Sequence, residues 1–76
     1  KYDSIEMVRK INVEYGNGCV VGIISSSSDT EEQAKAIAAG AQFWIVKSDD
    51  IEPRLEEFRK DFDGYRTRKA SFKVYK

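Results

Sequence analysis

The chain has 76 residues, the length of one small domain, and 13 acidic against 13 basic side chains give it no net charge at pH 7. It contains no histidine and a single cysteine, which excludes histidine metal ligands, Ser-His-Asp catalysis and an intrachain disulfide. No apolar run approaches the length of a membrane span and no signal peptide is recognisable, so we expect a soluble cytoplasmic protein with no membrane partner.

The first predicted element is a helix whose apolar residues are spaced three or four apart. Asp3 or Ser4 can cap its start, and Gly16 can end it in the left-handed conformation. Residues 16–18 then form a turn before the first strand. The apolar stripe of this helix consists of Ile5, Val8, Ile11 and Tyr15.

Two apolar runs predict parallel strands that end in polar residues. The first strand, residues 19–24, is rich in β-branched side chains and is followed by Ser25. The second strand, residues 42–46, is followed by Lys47. Parallel strands joined by a helix place their carboxyl ends at one edge of the sheet, where ligands of open α/β sheets bind. A hydroxyl and an ammonium side by side at that edge suit an anion, and a phosphoryl group is the obvious candidate.

The helix between these strands has start and stop signals. Asp29 as N-cap, followed three residues later by Glu32, resembles a capping box, and Gly40 can end the helix. We expect small side chains to face the sheet, so that the helix lies close to it. The predicted face consists of Ala34, Ile37, Ala38 and Ala41.

A third helix is predicted over residues 50–63. The acidic pair Asp49 and Asp50 suits its positive N-terminal dipole, Pro53 is tolerated in its first turn, and Gly64 ends it. Its apolar stripe consists of Ile51, Leu55, Phe58 and Phe62.

Charge divides the chain into two parts. Residues 1–64 hold all 13 acidic side chains and eight basic ones, whereas residues 65–76 hold five basic side chains and no acid. We assign residues 1–64 to the folded unit and residues 65–76 to a basic tail or linker; weak alternation at its end also leaves open an edge strand or a frayed end. Only this tail could attract nucleic acid, which we do not expect as a partner.

The order of elements predicts an α/β fold: helix, strand, helix, strand, helix, with two parallel strands joined by a right-handed crossover. Two parallel strands do not make an independent sheet, because parallel sheets are buried on both faces and both edges of this pair are open. Either chain that precedes Lys1 or a second copy must complete it. We expect association, with a homodimer that covers the edge of strand 19–24 as the favoured form.

The stretch from Val20 to Lys47 resembles the second half of the receiver domain of bacterial response regulators, a flavodoxin-like fold. Three features carry the resemblance: the apolar strand ending in Ser25, the sequence Ala39-Gly40-Ala41 that closes the helix, and strand 43–46 ending in Lys47. The separation of Ser25 from Lys47 agrees with the family's spacing of its hydroxyl residue and its lysine.

The flanking segments extend this resemblance over roughly residues 2–63. Residues 2–11 are similar to the family's third helix, and residues 50–63 to its fifth. The resemblance implies that residues 1–64 are the C-terminal half of a receiver-like domain.

The resemblance also implies roles for four residues. Ser25 would turn inward to hydrogen-bond an aspartyl phosphate, Ser26 would leave room for the phosphoryl group, and Lys47 would contact phosphate and carboxylate. Trp44 would be the switch aromatic whose inward or outward rotamer reports the state of Ser25 to partners. These roles agree with physical chemistry, because a hydroxyl donor and an ammonium both stabilise added negative charge.

The chain departs from the family pattern in two ways. Ser48 follows Lys47 where the family has a proline joined through a cis peptide; since a non-proline cis peptide costs ~2.5–4 kcal/mol, we expect a trans turn. The phosphoacceptor aspartate and the metal-binding acidic pair belong to strands that lie before Lys1. We therefore expect no cofactor in this fragment, while the resemblance implies Mg²⁺ and a histidine kinase for the complete domain.

Our leading hypothesis is a non-enzymatic fragment of a receiver domain in two-component signal transduction, associated with a second copy or with its missing N-terminal half. The alternative is a stand-alone protein-interaction or dimerisation module, derived from a receiver domain, that no longer undergoes phosphorylation. A third hypothesis, a small α/β enzyme with Lys47 as base or Schiff-base former, has no supporting feature in the sequence.

Overall fold

The structure, a computed structural model, describes residues 4–76, except for the side chains of Ser4 and Asn17. Helices and strands alternate along these residues, which gives the α/β class expected from the sequence. No helix within the described range is long and apolar enough to cross a bilayer. The elements are α1 (Ser4–Tyr15), a short 3-10 helix (Gly16–Gly18), β1 (Ile23–Ser25), α2 (Thr30–Ala39), β2 (Phe43–Val46), α3 (Glu52–Arg66) and β3 (Lys73–Tyr75).

The three strands form one parallel sheet in the order β1-β2-β3. The predicted parallel pair is therefore confirmed, but β1 is Ile23–Ser25 instead of residues 19–24, so Ser25 lies within the strand and not after it. The sheet also gains a third strand that the predicted fold lacks. In the register of the sheet, Ile23 lies beside Trp44, and Trp44 lies beside Val74. Because side chains alternate along a strand, β2 directs Trp44 to one face of the sheet and Phe43 and Ile45 to the other.

Helices α1 and α2 cover the face that carries Trp44. Val8 of α1 and Ala36 and Ala39 of α2 are buried together with Ile23 and Trp44. The small alanine side chains let α2 lie close to the sheet, as the composition of this helix predicts.

Helix α3 covers the opposite face with aromatic side chains. Phe43, Ile45 and Tyr75 of the sheet are buried there together with Tyr65 of α3. The ring of Phe58 packs on that of Phe43, with 4.4 Å between the ring centroids. Aromatic pairs of this kind add ~0.5–1.5 kcal/mol beyond the area they bury.

The predicted ends of α2 are confirmed. The Oδ1 atom of Asp29 accepts a hydrogen bond from the Glu31 N–H at 3.0 Å. Gly40 adopts a left-handed conformation with φ 108°, and its N–H donates to the Ile37 carbonyl at 3.0 Å. A polar cap and a glycine stop therefore define this helix, as local chemistry predicts.

The predicted buried face of α2 is wrong for three of its four residues; Ala41, which follows the helix, is buried as predicted. Ala36 and Ala39 are buried, whereas Ala34 and Ala38 are exposed and Ile37 is 50% exposed. Apolar residues lie on every side of this alanine-rich helix, so their spacing does not fix which side meets the sheet.

The stripe predicted for α1 holds only in its first three members. Val8 is buried and Ile5 and Ile11 pack against the same cluster, but Tyr15 is 58% exposed. The two predicted caps of α1 lie outside the described part of the chain, which includes neither Asp3 nor the side chain of Ser4.

The C-terminal segment adopts the edge-strand alternative. Residues 73–75 form β3, and α3 continues to Arg66 instead of ending at Gly64. Gly64 serves a different purpose from the predicted stop: a Cβ placed there would lie 3.1 Å from the Cβ of Ala70, so the missing side chain gives room for the returning chain. The sheet is therefore wider than the sequence predicts.

Candidate anion site at the carboxyl edge of the sheet

Ser25 and Lys47 lie side by side at the carboxyl edge of the sheet. Ser25 is the last residue of β1, and Lys47 directly follows β2. The Lys47 N–H donates to the Ser25 carbonyl at 2.7 Å, which fixes the two backbones against each other. Ser25 is half-buried and Lys47 is exposed, so the pair borders solvent at the edge where ligands of open α/β sheets bind.

The Ser25 hydroxyl begins a series of short turns that leads to α2. Its Oγ accepts from the Ser27 N–H at 3.2 Å, and the Ser27 Oγ accepts from the Asp29 N–H at 3.1 Å. Asp29 then caps the helix. Since these bonds use the hydroxyl oxygens as acceptors, the Ser25 proton remains to be donated to an anion. Ser26 is exposed beside it, and its small side chain leaves the approach open.

Trp44 anchors this loop through a hydrogen bond from its indole. Its side chain is 2% exposed, within the cluster formed by α1, α2 and the sheet. Its Nε1–H donates to the Ser27 carbonyl at 2.9 Å. The indole of Trp44 is therefore coupled, through Ser27, to the loop that carries the Ser25 hydroxyl.

Lys47 forms no ion pair with an acidic side chain among residues 4–76. The ion pairs of this range all involve other cations. No group of three or more acidic, cysteine or histidine side chains that could hold a metal ion occurs in the described range. Lys47 and the serine hydroxyls supply a cation and hydrogen-bond donors, which suits an oxyanion.

Arg54 is a contributor to this edge that sequence reasoning missed. Its Nη1 atom donates to the Ser48 Oγ at 2.7 Å and to the Asp50 carbonyl at 2.8 Å, and its Nε is buried without a partner. The loop after Lys47 is thereby tied to α3. The position of Arg54 in the first turn of the helix was a signal in the sequence. A cation there is unfavourable to the helix dipole, so a contact outside the helix is expected to hold it.

The turn after Lys47 is the trans turn expected without proline, since no cis peptide occurs in the described residues. Asp49 and Asp50 precede the start of α3, where their charge suits the helix dipole, but neither side chain caps the helix. The N-cap of α3 is Ile51, without a side-chain hydrogen bond, and Asp50 contributes its carbonyl to Arg54.

Comparisons of this chain with protein-family models, with curated proteins and with solved structures found no match.

Proposed function

We propose that this chain is the C-terminal half of a receiver domain, in which Ser25, Ser26 and Lys47 contact a phosphoryl group carried by an aspartate outside these 76 residues. The observation that carries the proposal is the placement of Ser25 and Lys47, joined by the 2.7 Å backbone hydrogen bond at the carboxyl edge of the sheet. The unpaired charge of Lys47 supports the same role.

Each residue would stabilise the phosphoryl group in its own way. The Lys47 ammonium attracts the phosphoryl oxygens, and the Ser25 hydroxyl donates a hydrogen bond to one of them. Ser26 contributes by its small size. In the complete domain, Mg²⁺ would neutralise part of the phosphate charge, and a histidine kinase would supply the phosphoryl group.

The signal would travel from Ser25 to Trp44 through the loop between them. If the Ser25 hydroxyl turns towards a phosphoryl group, it gives up the Ser27 N–H, and the Ser27 carbonyl that anchors Trp44 is released to move. The surface made by residues 29–47 and by α3 would then change for partner proteins. This chain itself transfers no phosphoryl group and is not an enzyme.

The test is a titration of the ¹⁵N-labelled chain with inorganic phosphate, followed through its backbone amide and indole resonances. We expect weak binding, in the millimolar range, with the largest shifts at residues 25–28 and Lys47. Lys47→Met should abolish these shifts. Lys10→Met, which removes an exposed lysine of α1, should leave them unchanged.

The same spectra would also reveal the contrary outcome, in which phosphate binds to the basic residues after Gly64. Shifts confined to residues 65–76, with none at Ser25 or Lys47, would show that phosphate binds the basic segment by charge alone. That result would remove the support for a phosphoryl site at the sheet edge.

A second candidate is an interaction module, derived from a receiver domain, that no longer responds to phosphorylation. The nearly complete burial of Trp44 favours it, because an indole that is 2% exposed and hydrogen-bonded has little room to swing outward. The same titration separates the candidates. A shift of the Trp44 indole N–H resonance on addition of phosphate supports the receiver proposal. If the indole resonance does not move even when phosphate has saturated the shifts of the backbone amides, the interaction module is supported.

A further inference from the structure

A cavity of about 570 Å³ lies between α3 and the chain that leads into β3. Its volume falls within the range of ~300–1,000 Å³ that is typical of sites for small molecules. One face of α3 and residues 70–73 line it. Because residues 70–72 precede β3 in a parallel sheet, the cavity lies towards the amino end of the strands, away from the Ser25–Lys47 edge.

Hydrogen bonds hold the turn that forms one wall of this cavity. The N–H groups of Lys69 and Ala70 both donate to the Gly64 carbonyl, at 2.9 Å and 3.0 Å. The adjacent Tyr65 carbonyl accepts from the Gln42 side chain at 2.8 Å, which ties the turn to the sheet. Since the wall is fixed in advance, a ligand does not bear the entropic cost of ordering it.

Part of the cavity lining is apolar. Phe72, which is half-buried, contributes a ring and Ala70 contributes a methyl group, while Tyr65 lies buried at the base. The Tyr65 hydroxyl is already bonded to the Tyr75 hydroxyl at 2.7 Å, so Tyr65 offers a ligand its ring and not its polar group. A ring and a methyl group at the surface of a cavity suit the apolar part of a small molecule.

The charged side chains that line the cavity favour an anion over a cation. The carboxylate of Asp61 is engaged within the protein, because its Oδ2 atom accepts from Lys73 at 3.1 Å and from the Tyr75 hydroxyl at 2.7 Å. Lys60, in contrast, is exposed and forms no ion pair with an acidic side chain in the described part of the chain. The Lys60 ammonium is therefore free to meet a carboxylate.

We propose that this cavity binds a small organic monoanion, with its carboxylate on the Lys60 ammonium and its apolar body against Phe72 and Ala70. The exposed Ser71 hydroxyl, which also lines the cavity, donates a second hydrogen bond to the carboxylate. An arylacetate has this combination of an apolar ring and a carboxylate a few bonds away. The inference is separate from the proposed phosphoryl site, which lies at the other end of the strands and is followed through other resonances.

The test is a titration of the ¹⁵N-labelled chain with phenylacetate, compared with acetate and with phenylacetamide. Acetate keeps the charge without the ring, and phenylacetamide keeps the ring without the charge. We expect phenylacetate to bind in the millimolar range, as suits so small a ligand, and to shift the amide resonances of Gly64 and residues 70–73. At the same concentrations, acetate and phenylacetamide should leave these resonances in place.

Two variants of Lys60 test the assigned charge, with folding checked by circular dichroism. Lys60→Met should raise the dissociation constant of phenylacetate about tenfold or more, whereas Lys10→Met, at an exposed lysine of α1, should leave it unchanged. Lys60→Glu should abolish phenylacetate binding and allow benzylamine to shift the same resonances. The proposal is overturned if phenylacetate shifts none of them, if acetate shifts them equally, or if Lys60→Met and Lys10→Met weaken binding alike.

Discussion

The two edges of the sheet differ in the charged side chains that surround them. At the β3 edge, Lys73 lies 3.1 Å from Asp61 and 3.6 Å from Glu57, both on α3. At the β1 edge, no charged side chain follows the strand until Asp29, and Ile24 is exposed. The difference teaches that acidic side chains of α3 cover the charge at the β3 edge, whereas no described strand pairs with the outer side of β1.

A chain of hydrogen bonds anchors the β3 edge. The hydroxyls of Tyr65 and Tyr75 are 2.7 Å apart, and the Tyr75 hydroxyl donates to Asp61 Oδ2 at 2.7 Å. Hydrogen bonds from Tyr75 and Lys73 hold the pKa of Asp61 below its usual value. Burial, together with the hydrogen bonds to Tyr65 and Asp61, raises the pKa of Tyr75, so its phenol stays protonated as a donor.

If β3 is the anchored edge, its aromatic side chain should dominate stability. Tyr75→Ala removes a ring that is 1% exposed and should lower the free energy of unfolding by about 3–5 kcal/mol. Tyr15→Ala, which removes a tyrosine that is 58% exposed, is the control and should cost much less. Urea unfolding followed by circular dichroism measures both, and equal losses would show that β3 is not anchored.

On the β1 side, the stability of the protein should depend on close packing and not on charged side chains. A Cβ on Gly22 would overlap the ring of Phe43, so Gly22→Ala should cost about 1–3 kcal/mol through overpacking. Gly18→Ala, at a glycine with open space around it, is the matched control. The same unfolding experiment checks the pair, and a neutral Gly22→Ala would mean that β1 shifts freely away from β2.

The hydroxyl of Tyr75 should contribute less than its ring. Tyr75→Phe keeps the ring but removes the donor to Asp61 and the partner of Tyr65, and should cost about 1–2 kcal/mol. Tyr15→Phe should be close to neutral. A Tyr75→Phe loss as large as that of Tyr75→Ala would assign the anchoring to the hydrogen bonds and not to the packing.

The contribution of Asp61 should depend on pH. Because the folded-state pKa of Asp61 is lowered, its stabilisation is present above the unfolded-state pKa and is lost as pH falls through the folded value. The groups that face it are Tyr75, Lys73 and, beside Lys73, Glu57. The unfolding free energies of Asp61→Asn and the wild-type chain should therefore differ at neutral pH and converge below about pH 4. A constant difference across this range would contradict the assignment.

Much of the fold follows from local sequence signals. The cap at Asp29, the glycine stop at Gly40 and the two apolar runs predict α2 and the parallel β1–β2 pair without any long-range information. The adjacency of Ser25 and Lys47 follows from the same argument, since parallel strands share a carboxyl edge.

The features that the sequence does not reveal depend on contacts between distant residues. β3 is three residues long within a basic segment, and its partners Asp61 and Tyr65 lie on α3. The guanidinium of Arg68 reaches back to the carbonyls of Gly16 and Cys19. Residue spacing carries no trace of such contacts, which is why this segment remained a choice between tail, linker and strand.

The proposal that this chain is half of a phosphoacceptor domain is tested most directly by supplying the other half. A fusion in which the first three strands of a receiver domain, with their acceptor aspartate, precede Lys1 is incubated with acetyl phosphate and Mg²⁺, and covalent phosphate is measured. We predict phosphorylation that is strongly reduced by Lys47→Met and retained in Lys10→Met. A folded fusion that takes up no phosphate, or one that Lys47→Met leaves unaffected, would contradict the proposal.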